Sequence, residues 1–244
     1  MICLILTIKL FQLVVMPVYQ LPKEAIFPHP SEAVEDGLLA IGGDLSPERL
    51  VIAYASGIFP WYGIDDPILW WSPNPRLVLY PEKFKVSKSL KQTLRNKPFD
   101  IRIDFAFEEV IQNCSKVPRK GQNGTWITPE MIEAFVKMHR LGLAHSIEVW
   151  EGNKLVGGLY GLSLGKVFFG ESMFHKRKDA SKIAFYYLSQ LALKWKFSLI
   201  DCQVSNPHLL SLGAEEIERD DFLDQLAVAL EEETKHGIWE FEAT

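Results

Sequence analysis

The sequence predicts an α+β fold. Residues 146–150 alternate apolar and polar side chains as a half-buried strand does, and two further strands are predicted at 154–162 and 166–170, with short turns between them. A helix, a strand and a final helix follow this meander, which is an α+β pattern. The 48% hydrophobic and 23% charged residues are typical of a globular protein. The 244 residues suffice for one large domain or two unequal ones.

Charge and cysteine content narrow the function classes. The formal net charge of −5 gives no global attraction to nucleic acid, so such a partner must meet a local basic patch. Cys3, Cys114 and Cys202 are few and widely spaced, which indicates a reducing compartment without a disulfide framework. The six histidines share no metal-ligand spacing with each other or with cysteine, so the sequence predicts no metal site.

The amino-terminal segment is apolar from Ile2 to Val15. It is shorter than the roughly 20 apolar residues of a membrane span, and it lacks the basic region and cleavage site of a signal peptide. We expect Met16 to be the true start and residues 1–15 to come from an over-extended reading frame. A weak membrane or signal segment is the alternative.

A strand, a tight turn and a helix are predicted next. Residues 37–44 suit the strand and the turn. Ser46 suits the helix N-cap and Pro47 its first turn, and the helix should end near Ala55. The aromatic and proline-rich stretch 57–76 predicts either a rigid, partly exposed apolar surface or a small satellite core.

A basic helix is predicted after Ser87, which can cap it. Lys88, Lys91 and Arg95 are spaced i, i+3 and i+7, so they share one face. Between residues 83 and 97 there are six basic residues and no acidic one. This run is either a solvated face or a surface that tracks phosphates.

The remaining predicted elements lie in the second half of the chain. In order they are helices at 104–115 and 129–141, strands at 146–150, 154–162 and 166–170, a helix at 179–195, a strand at 199–204 and a helix at 220–235.

Polar side chains on the predicted strand 199–204 mark candidate chemistry. Because side chains alternate across a strand, Asp201 and Gln203 should share one face and Cys202 should lie on the other. We therefore interpret Cys202 as a small core residue. Glu171 ends an apolar strand, where it either caps a turn or converges with Asp201 on a site that suits a cationic substrate.

Nine sequence blocks carry a resemblance to a known family. They are GLLAIGGDLSP (37–47), GIFPW (57–61), LWWSPNPR (69–76), TWIT (125–128), AHSIEVW (144–150), GESMF (170–174), ASK (180–182), IDCQV (200–204) and SLGA (211–214). In this order they resemble the bacterial leucyl/phenylalanyl-tRNA–protein transferases. The match runs from about Leu21 to Phe222 and leaves residues 1–15 outside.

The resemblance implies a small N-terminal domain at 16–74 and a larger, GNAT-like acyltransferase domain at 75–244. It implies transfer of Leu or Phe from Leu-tRNA or Phe-tRNA to proteins that begin with Arg or Lys. The modified proteins enter degradation by the N-degron pathway. It further implies a cytoplasmic monomer without cofactor or membrane partner.

The resemblance also assigns candidate catalytic residues. Asp201 would orient Gln203, which contacts the attacking amine, and Glu171 would hold the terminal nucleotide or its aminoacyl group. A neutral amide is a poor base, so we expect Gln203 to position the amine while its proton passes to Asp201, water or the terminal ribose. An amine pKa near 7.7–8 leaves part of the substrate ready to attack.

Substrate-binding residues follow from the same resemblance. Trp61 and Trp126 would flank the terminal adenosine, with Tyr54 close by. Those expected around the leucyl or phenylalanyl group are Leu159, Gly170, Met173, Leu188 and Ile200, and Ser172 is a further expected substrate-binding residue. Those expected to meet acceptor-stem phosphates are Lys88, Lys91 and Arg95.

Two rival functions remain open from the residues alone. An acetyl-CoA-dependent acetyltransferase would need a glycine-rich loop before the predicted helix at 179–195, and residues 175–180 contain no glycine. A non-catalytic RNA-binding module could use the basic helix and the aromatic residues, but it would not need Asp201, Gln203 and Glu171 around an apolar pocket.

Overall fold

A computed structural model describes residues 18–96, 99–117 and 125–240. The expected over-extended start at residues 1–15 lies outside these ranges. Within them, no helix combines the length and the apolar character that crossing a bilayer requires.

A small sheet forms the amino-terminal part of the described chain, in the order β1-β2-β4-β3. Its strands are β1 (Tyr19–Leu21), β2 (Leu38–Gly42), β3 (Phe59–Pro60) and β4 (Leu69–Trp71). Trp70 is fully buried, and its indole N–H donates to the carbonyl oxygen of Gly42 at 2.8 Å. The buried side chains of the aromatic stretch belong to the same core cluster as Tyr160 and Phe169, so the satellite-core alternative is wrong. The stretch keeps a partly exposed aromatic edge at Trp61 and Trp71.

The main sheet has the order β11-β5-β10-β9-β8-β7-β6. Its strands are β5 (Arg76–Leu79), β6 (Asp100–Ile103), β7 (Ala144–Glu151), β8 (Lys154–Leu164), β9 (Val167–His175), β10 (Leu199–Gln203) and β11 (Glu215–Ile217). The predicted antiparallel meander is confirmed as β7, β8 and β9. Strand β10 pairs in parallel with β9 and antiparallel with β5.

Helices cover both faces of the main sheet. They are α1 (Pro47–Ala55), α2 (Lys88–Asn96), α3 (Phe107–Ser115), α4 (Pro129–Arg140), α5 (Ala180–Lys194), α6 (Pro207–Ser211) and α7 (Arg219–Leu230). Helices α2 and α5 pack on the face that buries Phe168 and Ile200. Helices α1, α3, α4 and α7 pack on the face that buries Tyr160 and Phe169. The α+β class is therefore confirmed.

Helix α1 begins and ends as the sequence predicts. The side chain of Ser46 accepts the backbone N–H of Arg49, and Pro47 occupies the first turn. Ser87 likewise accepts the backbone N–H of Leu90 at the start of α2. Local capping chemistry thus marks where both helices begin.

Several predicted boundaries are wrong. The helix predicted from residue 104 begins at Phe107, because Asp104 has a left-handed backbone with φ 54°. Strand β9 continues past Gly170 because its pairing with β8 extends to His175. Helix α7 ends at Leu230. The sequence also predicts no strand where β6 forms, although β6 pairs with β7 along its length.

A bulge interrupts β9 in the middle of the main sheet. Gly170 pairs with Gly161 and Ser172 pairs with Tyr160 across β8, so Glu171 is an extra residue in the ladder. Such a bulge re-aims the side chain of the extra residue. Glu171 therefore lies within a strand and does not cap a turn.

A second bulge lies on β10. The register against β5 shifts between Asp201 and Gln203, which makes Cys202 the extra residue. The parallel pairing of β9 and β10 extends as far as Phe169 and Asp201. Beyond that point the two strands are no longer paired, and the space beside Glu171 opens.

Candidate active site

Glu171 lies at the centre of the candidate site and is 8% exposed. Its Oε1 accepts hydrogen bonds from the hydroxyl of Tyr54 and the side-chain amide of Gln203, each at 2.7 Å. Its Oε2 is buried and has no hydrogen-bond partner among the described residues. A buried acceptor left unsatisfied costs about 1–3 kcal/mol. This oxygen is therefore a place where a ligand donor would be stabilising.

The environment of Glu171 brings its titration close to neutral pH. Burial raises the pKa of Glu171 to about 7, although the hydrogen bonds from Tyr54 and Gln203 act in the opposite direction. The negative charge of Asp201 raises this pKa further, and the positive charge of Arg76 lowers it. A carboxyl group with a pKa near the working pH can both take up and release a proton.

Asp201, the second carboxylate, is already engaged within the protein. Its two oxygens accept a bidentate pair of hydrogen bonds from Arg76, at 2.9 Å and 2.7 Å, and both side chains are fully buried. Its Oδ1 also accepts the backbone N–H of Gln203 at 2.9 Å. Asp201 is thus held on one side and orients the backbone of Gln203 on the other.

Gln203 departs from regular strand geometry. Its φ of 64° lies in the left-handed region, which residues other than glycine rarely occupy. The side chain of Gln203 contacts Glu171, whereas that of Asp201 contacts Arg76. Strand alternation therefore does not describe this pair, because the bulge at Cys202 and the backbone turn give the two side chains different partners.

Cys202 is only partly buried and lines the candidate site. The expectation of a small core residue is met in part, because Cys202 packs against the core cluster around Phe168 and Ile200 and also lines both cavities. Burial raises the pKa of the Cys202 thiol far above its usual value, and Asp201 adds to this effect. Because the thiolate is the nucleophile, these surroundings favour an inert thiol.

A cavity of about 480 Å³ opens beside Glu171 and Gln203. Its wall is mainly apolar, and its lining includes Leu159, Phe168, Met173, Phe185, Leu188 and Ile200. A space of this size with a few polar groups at one end is typical of a ligand pocket.

A second cavity of about 240 Å³ adjoins the first. Its aromatic wall consists of Phe59, Trp61 and Trp126. Glu171 and Gln203 line both cavities, so the carboxyl and amide groups lie where the two meet. A ligand with an apolar part and a planar part could occupy both cavities and place its central atoms beside these groups.

The chemistry available here is binding and proton transfer. The described residues include no cluster of three or more His, Cys, Asp or Glu side chains that could hold a metal ion. A carboxyl group with a pKa of about 7 and an amide adjoin an apolar pocket. Such groups can position an amine, take its proton and hold an apolar side chain.

Comparison with known proteins assigns the chain to a family. A model described as leucyl/phenylalanyl-tRNA protein transferase matches residues 78–227, and a model of the N-terminal domain of the same transferase matches residues 43–74. The chain belongs to this family. The family assignment and the aminoacyltransferase class that the sequence blocks predict are therefore confirmed.

Similar proteins of the transferase family cover nearly the whole chain. A leucyl/phenylalanyl-tRNA–protein transferase of Anaeromyxobacter sp. (strain Fw109-5) is 57% identical over 93% of this chain and 97% of its own length. That of Maridesulfovibrio salexigens is 58% identical over 93% and 95%, respectively. That of Desulfatibacillum aliphaticivorans is 55% identical over 93% and 98%, respectively.

Solved structures give a weaker likeness. A functionally unknown conserved protein from Staphylococcus epidermidis ATCC 12228 matches with a TM-score of 0.40 and 10% identity, over 74% of this chain and 68% of its own. L-PGS from Bacillus licheniformis matches with a TM-score of 0.36 and 13% identity, over 66% and 52%, respectively. These scores are too low to assign a fold within the α+β class.

The structure brings together most of the residues that the transferase resemblance assigns. The main cavity is lined by the five residues expected around the aminoacyl group, Leu159, Gly170, Met173, Leu188 and Ile200, and by Ser172. Trp61 and Trp126 line the aromatic cavity. Tyr54 is fully buried behind Glu171 and lines neither cavity. Tyr54 therefore supports the Glu171 carboxyl group from behind through its hydrogen bond.

The basic residues of α2 lie on a different part of the surface. Lys88, Lys91 and Arg95 are exposed. Helix α2 packs beside α5, where Thr93 donates a hydrogen bond to Asp179 at 3.1 Å. Since α5 also supplies Leu188 to the main cavity, the basic face and the cavity share one supporting helix.

Sequence reasoning missed several residues of the site region, including the following four. Arg76 carries the salt bridge to Asp201, and Phe168, Phe185 and His208 line the main cavity. Arg76 could have been found, because a buried carboxylate on β10 needs a cationic partner and Arg76 begins the apolar strand β5. The other three give no comparable signal in the sequence.

Proposed function

We propose that this site transfers leucine or phenylalanine from an aminoacyl-tRNA to the α-amino group of proteins that begin with Arg or Lys. The hydrogen-bonded pair of Glu171 and Gln203 at the junction of the two cavities carries the proposal. The names of the similar transferases support the choice of donor. The acceptor class follows from the family resemblance.

The two cavities suit the two parts of the donor. The leucyl or phenylalanyl side chain would occupy the apolar main cavity, where burial stabilises it. The terminal adenosine would lie against Trp61 and Trp126 in the aromatic cavity, since a base stacks well on such rings. The acceptor stem would extend toward Lys88, Lys91 and Arg95, whose phosphate contacts carry no sequence information.

Gln203 would position the incoming amine. The side-chain amide N–H of Gln203 donates a hydrogen bond to Glu171. The amide carbonyl oxygen of Gln203 then remains as an acceptor for an N–H of the incoming amine. The amine nitrogen then bonds to the ester carbonyl carbon, and the carbon–oxygen bond to the terminal ribose breaks. Placement supplies most of the acceleration, because the ester is already activated.

Glu171 is a better proton acceptor than Asp201. The Asp201 carboxylate is bound by Arg76 and lines neither cavity. Glu171 has a pKa of about 7, lines both cavities and has one oxygen, Oε2, without a described partner. In the proposed reaction Oε2 takes one proton from the attacking amine and returns it to the departing ribose oxygen, so the carboxyl group ends unchanged.

The finer architecture belongs to the same proposal. We infer a small domain at 16–74 and a GNAT-like catalytic domain at 75–244, since the boundary falls between the two sheets. The parallel pair of β9 and β10 that ends at the site supports an acyltransferase arrangement. We also infer a cytoplasmic monomer without cofactor, whose products enter degradation by the N-degron pathway.

The test is transfer of labelled leucine from Leu-tRNA to a peptide that begins with Arg. A matched peptide that begins with Ala measures selectivity, and acetyl-CoA in place of Leu-tRNA tests the rival acetyl transfer. We expect labelling of the Arg peptide alone and no acetylation. Labelling of neither peptide would overturn the proposed function, and equal labelling of both would overturn the acceptor class.

A further inference from the structure

We propose that Arg76 is a positioning residue for the transfer reaction. Through Asp201 it holds the backbone of Gln203 in the left-handed conformation that turns the Gln203 amide toward Glu171. This inference rests on the proposed function for its kinetic consequences. Arg76 itself lines neither cavity, so it acts through its neighbours.

The guanidinium group of Arg76 is fixed from several directions. It lies between the rings of Phe59 and Phe222, at 4.8 Å and 4.6 Å from their centroids. Its Nη1 donates to the carbonyl oxygen of Gly57 at 3.1 Å. Its Nε and Nη2 form the bidentate contact with Asp201. Residues before β3, on β3 and on α7 thereby define where Asp201 can lie.

A continuous chain of short contacts leads from Arg76 to the carboxyl group at the cavities. Arg76 binds Asp201 at 2.9 Å and 2.7 Å, Asp201 accepts the backbone N–H of Gln203 at 2.9 Å, and the Gln203 amide donates to Glu171 at 2.7 Å. A carboxylate acceptor makes the bond to the Gln203 backbone stronger than a neutral one would.

Stability alone does not explain this arrangement. Replacing a buried ion pair by apolar residues of similar volume is often neutral or stabilising. The left-handed backbone of Gln203 is unfavourable for a residue with a side chain, so surrounding contacts must hold it. The bidentate geometry of Arg76 supplies a fixed direction, which a single lysine ammonium would not.

Arg76→Lys tests the proposal because it keeps the charge and removes the bidentate geometry. We expect kcat for leucine transfer to fall about 100-fold, as for a small misplacement of reacting groups. The KM for Leu-tRNA should stay within about threefold, because the cavity walls are unchanged. The control is Arg219→Lys: Arg219 donates to the carbonyl oxygen of Ser72 at 2.9 Å in the same region. Its kcat should stay within about twofold of the parent.

A second readout follows the backbone without using activity. Cys202 is the extra residue between Asp201 and Gln203, so its alkylation by iodoacetamide reports on the bulge. We expect about tenfold faster alkylation of Cys202 in Arg76→Lys, and no change in Arg219→Lys. The buried Cys114 is the internal control in peptide mapping, with each variant held well below its melting temperature.

The outcomes separate the two proposals. Unchanged Cys202 reactivity in Arg76→Lys overturns the positioning role, whatever the activity. Faster alkylation with unchanged kcat, or an equal kcat loss in Arg219→Lys, also overturns it. If the parent protein transfers no leucine, the proposed function fails, whereas the Cys202 rates still decide whether Arg76 holds this backbone.

Discussion

Two equally buried carboxyl groups, one within the main sheet and one directly after its strand β6, differ in how completely they are satisfied. Glu171 and Asp104 are each 8% exposed. Both Asp104 oxygens are engaged. Oδ2 contacts the ring Nδ1 of His145 at 2.7 Å and accepts the backbone N–H of Trp239 at 2.8 Å. Oδ1 accepts the backbone N–H of Ser146 at 2.8 Å. Glu171, which lines both cavities, concentrates its hydrogen bonds on one oxygen and leaves the other without a described partner.

The difference teaches that burial of a carboxyl group does not by itself mark a functional site. The Asp104 cluster is closed, since the ring of His145 stacks on Trp239 at 3.8 Å and Asp104 lines neither cavity of the site. It ties the end of the described chain to the sheet. The Glu171 cluster is open toward a ligand. The Asp104 cluster should therefore govern stability, and the Glu171 cluster should govern activity.

The largest expected effect comes from Glu171→Gln, which keeps the shape and removes the ionisable group. We expect the single-turnover rate of leucine transfer to fall about 1000-fold, because the attacking amine loses its proton acceptor. Asp104→Asn is the matched variant and should keep the parent rate per folded molecule. Comparable losses of rate in both variants would show that the distinction between the two clusters is mistaken.

The next largest expected effect is a dependence of the free energy of unfolding on pH, which arises from the raised pKa of Glu171. Its pKa of about 7 in the folded state lies above the ordinary value, so the unfolded chain binds fewer protons between about pH 4.5 and 7. The free energy of unfolding therefore falls as pH rises through this window, by about 3 kcal/mol from this group.

Glu171→Gln removes this contribution to the pH dependence. When both proteins are unfolded with urea at pH 5 and pH 8, the free energy of unfolding of the variant minus that of the parent should be larger at pH 8. A constant difference between the two proteins would contradict the raised pKa of Glu171.

Asp104→Asn should lower the free energy of unfolding by about 2 kcal/mol, because an amide cannot accept all three of the native hydrogen bonds. Asp100→Asn is the control: Asp100 has a side chain 55% exposed and pairs with Arg102 at 2.7 Å. An exposed pair of this kind contributes less than about 1 kcal/mol. Equal losses in urea unfolding would count against the closed cluster as a stabilising element.

Leu188→Phe should have the smallest effect of the series, because the larger side chain fills only part of the main cavity. We expect phenylalanine transfer to fall about tenfold more than leucine transfer, since the larger side chain loses its space. Leu193→Phe is the control on the same helix, at a residue 43% exposed. An unchanged Phe-to-Leu ratio in Leu188→Phe would exclude this cavity as the aminoacyl site.

Local signals were enough to predict much of the fold. Ser46 and Pro47 define the start of α1 through capping, while alternation predicts β7 and turn signals separate it from β8 and β9. The sequence missed β6, whose pairing with β7 joins residues far apart in the chain. Asp104 departs from the predicted helix because its tertiary hydrogen bonds outweigh the local helical pattern.

The candidate site was predictable in part of its membership but not in its geometry. The family blocks contain Glu171, Asp201 and Gln203, and all three meet through hydrogen bonds in the structure. Alternation assumes an uninterrupted ladder, so it could reveal neither the bulge at Glu171 nor the one at Cys202. The sequence therefore could not show that one carboxyl group is held by the protein while the other faces the ligand.

The most direct test of this difference is a carbon-13 NMR titration of protein labelled at the glutamate carboxyl carbons, with Glu171→Gln to assign the signal. The resonance of Glu171 should titrate with a pKa of about 7. It should respond when a non-hydrolysable leucyl-adenosine analogue binds. A resonance that titrates near the ordinary glutamate value of about 4.3 and ignores the analogue would contradict the account.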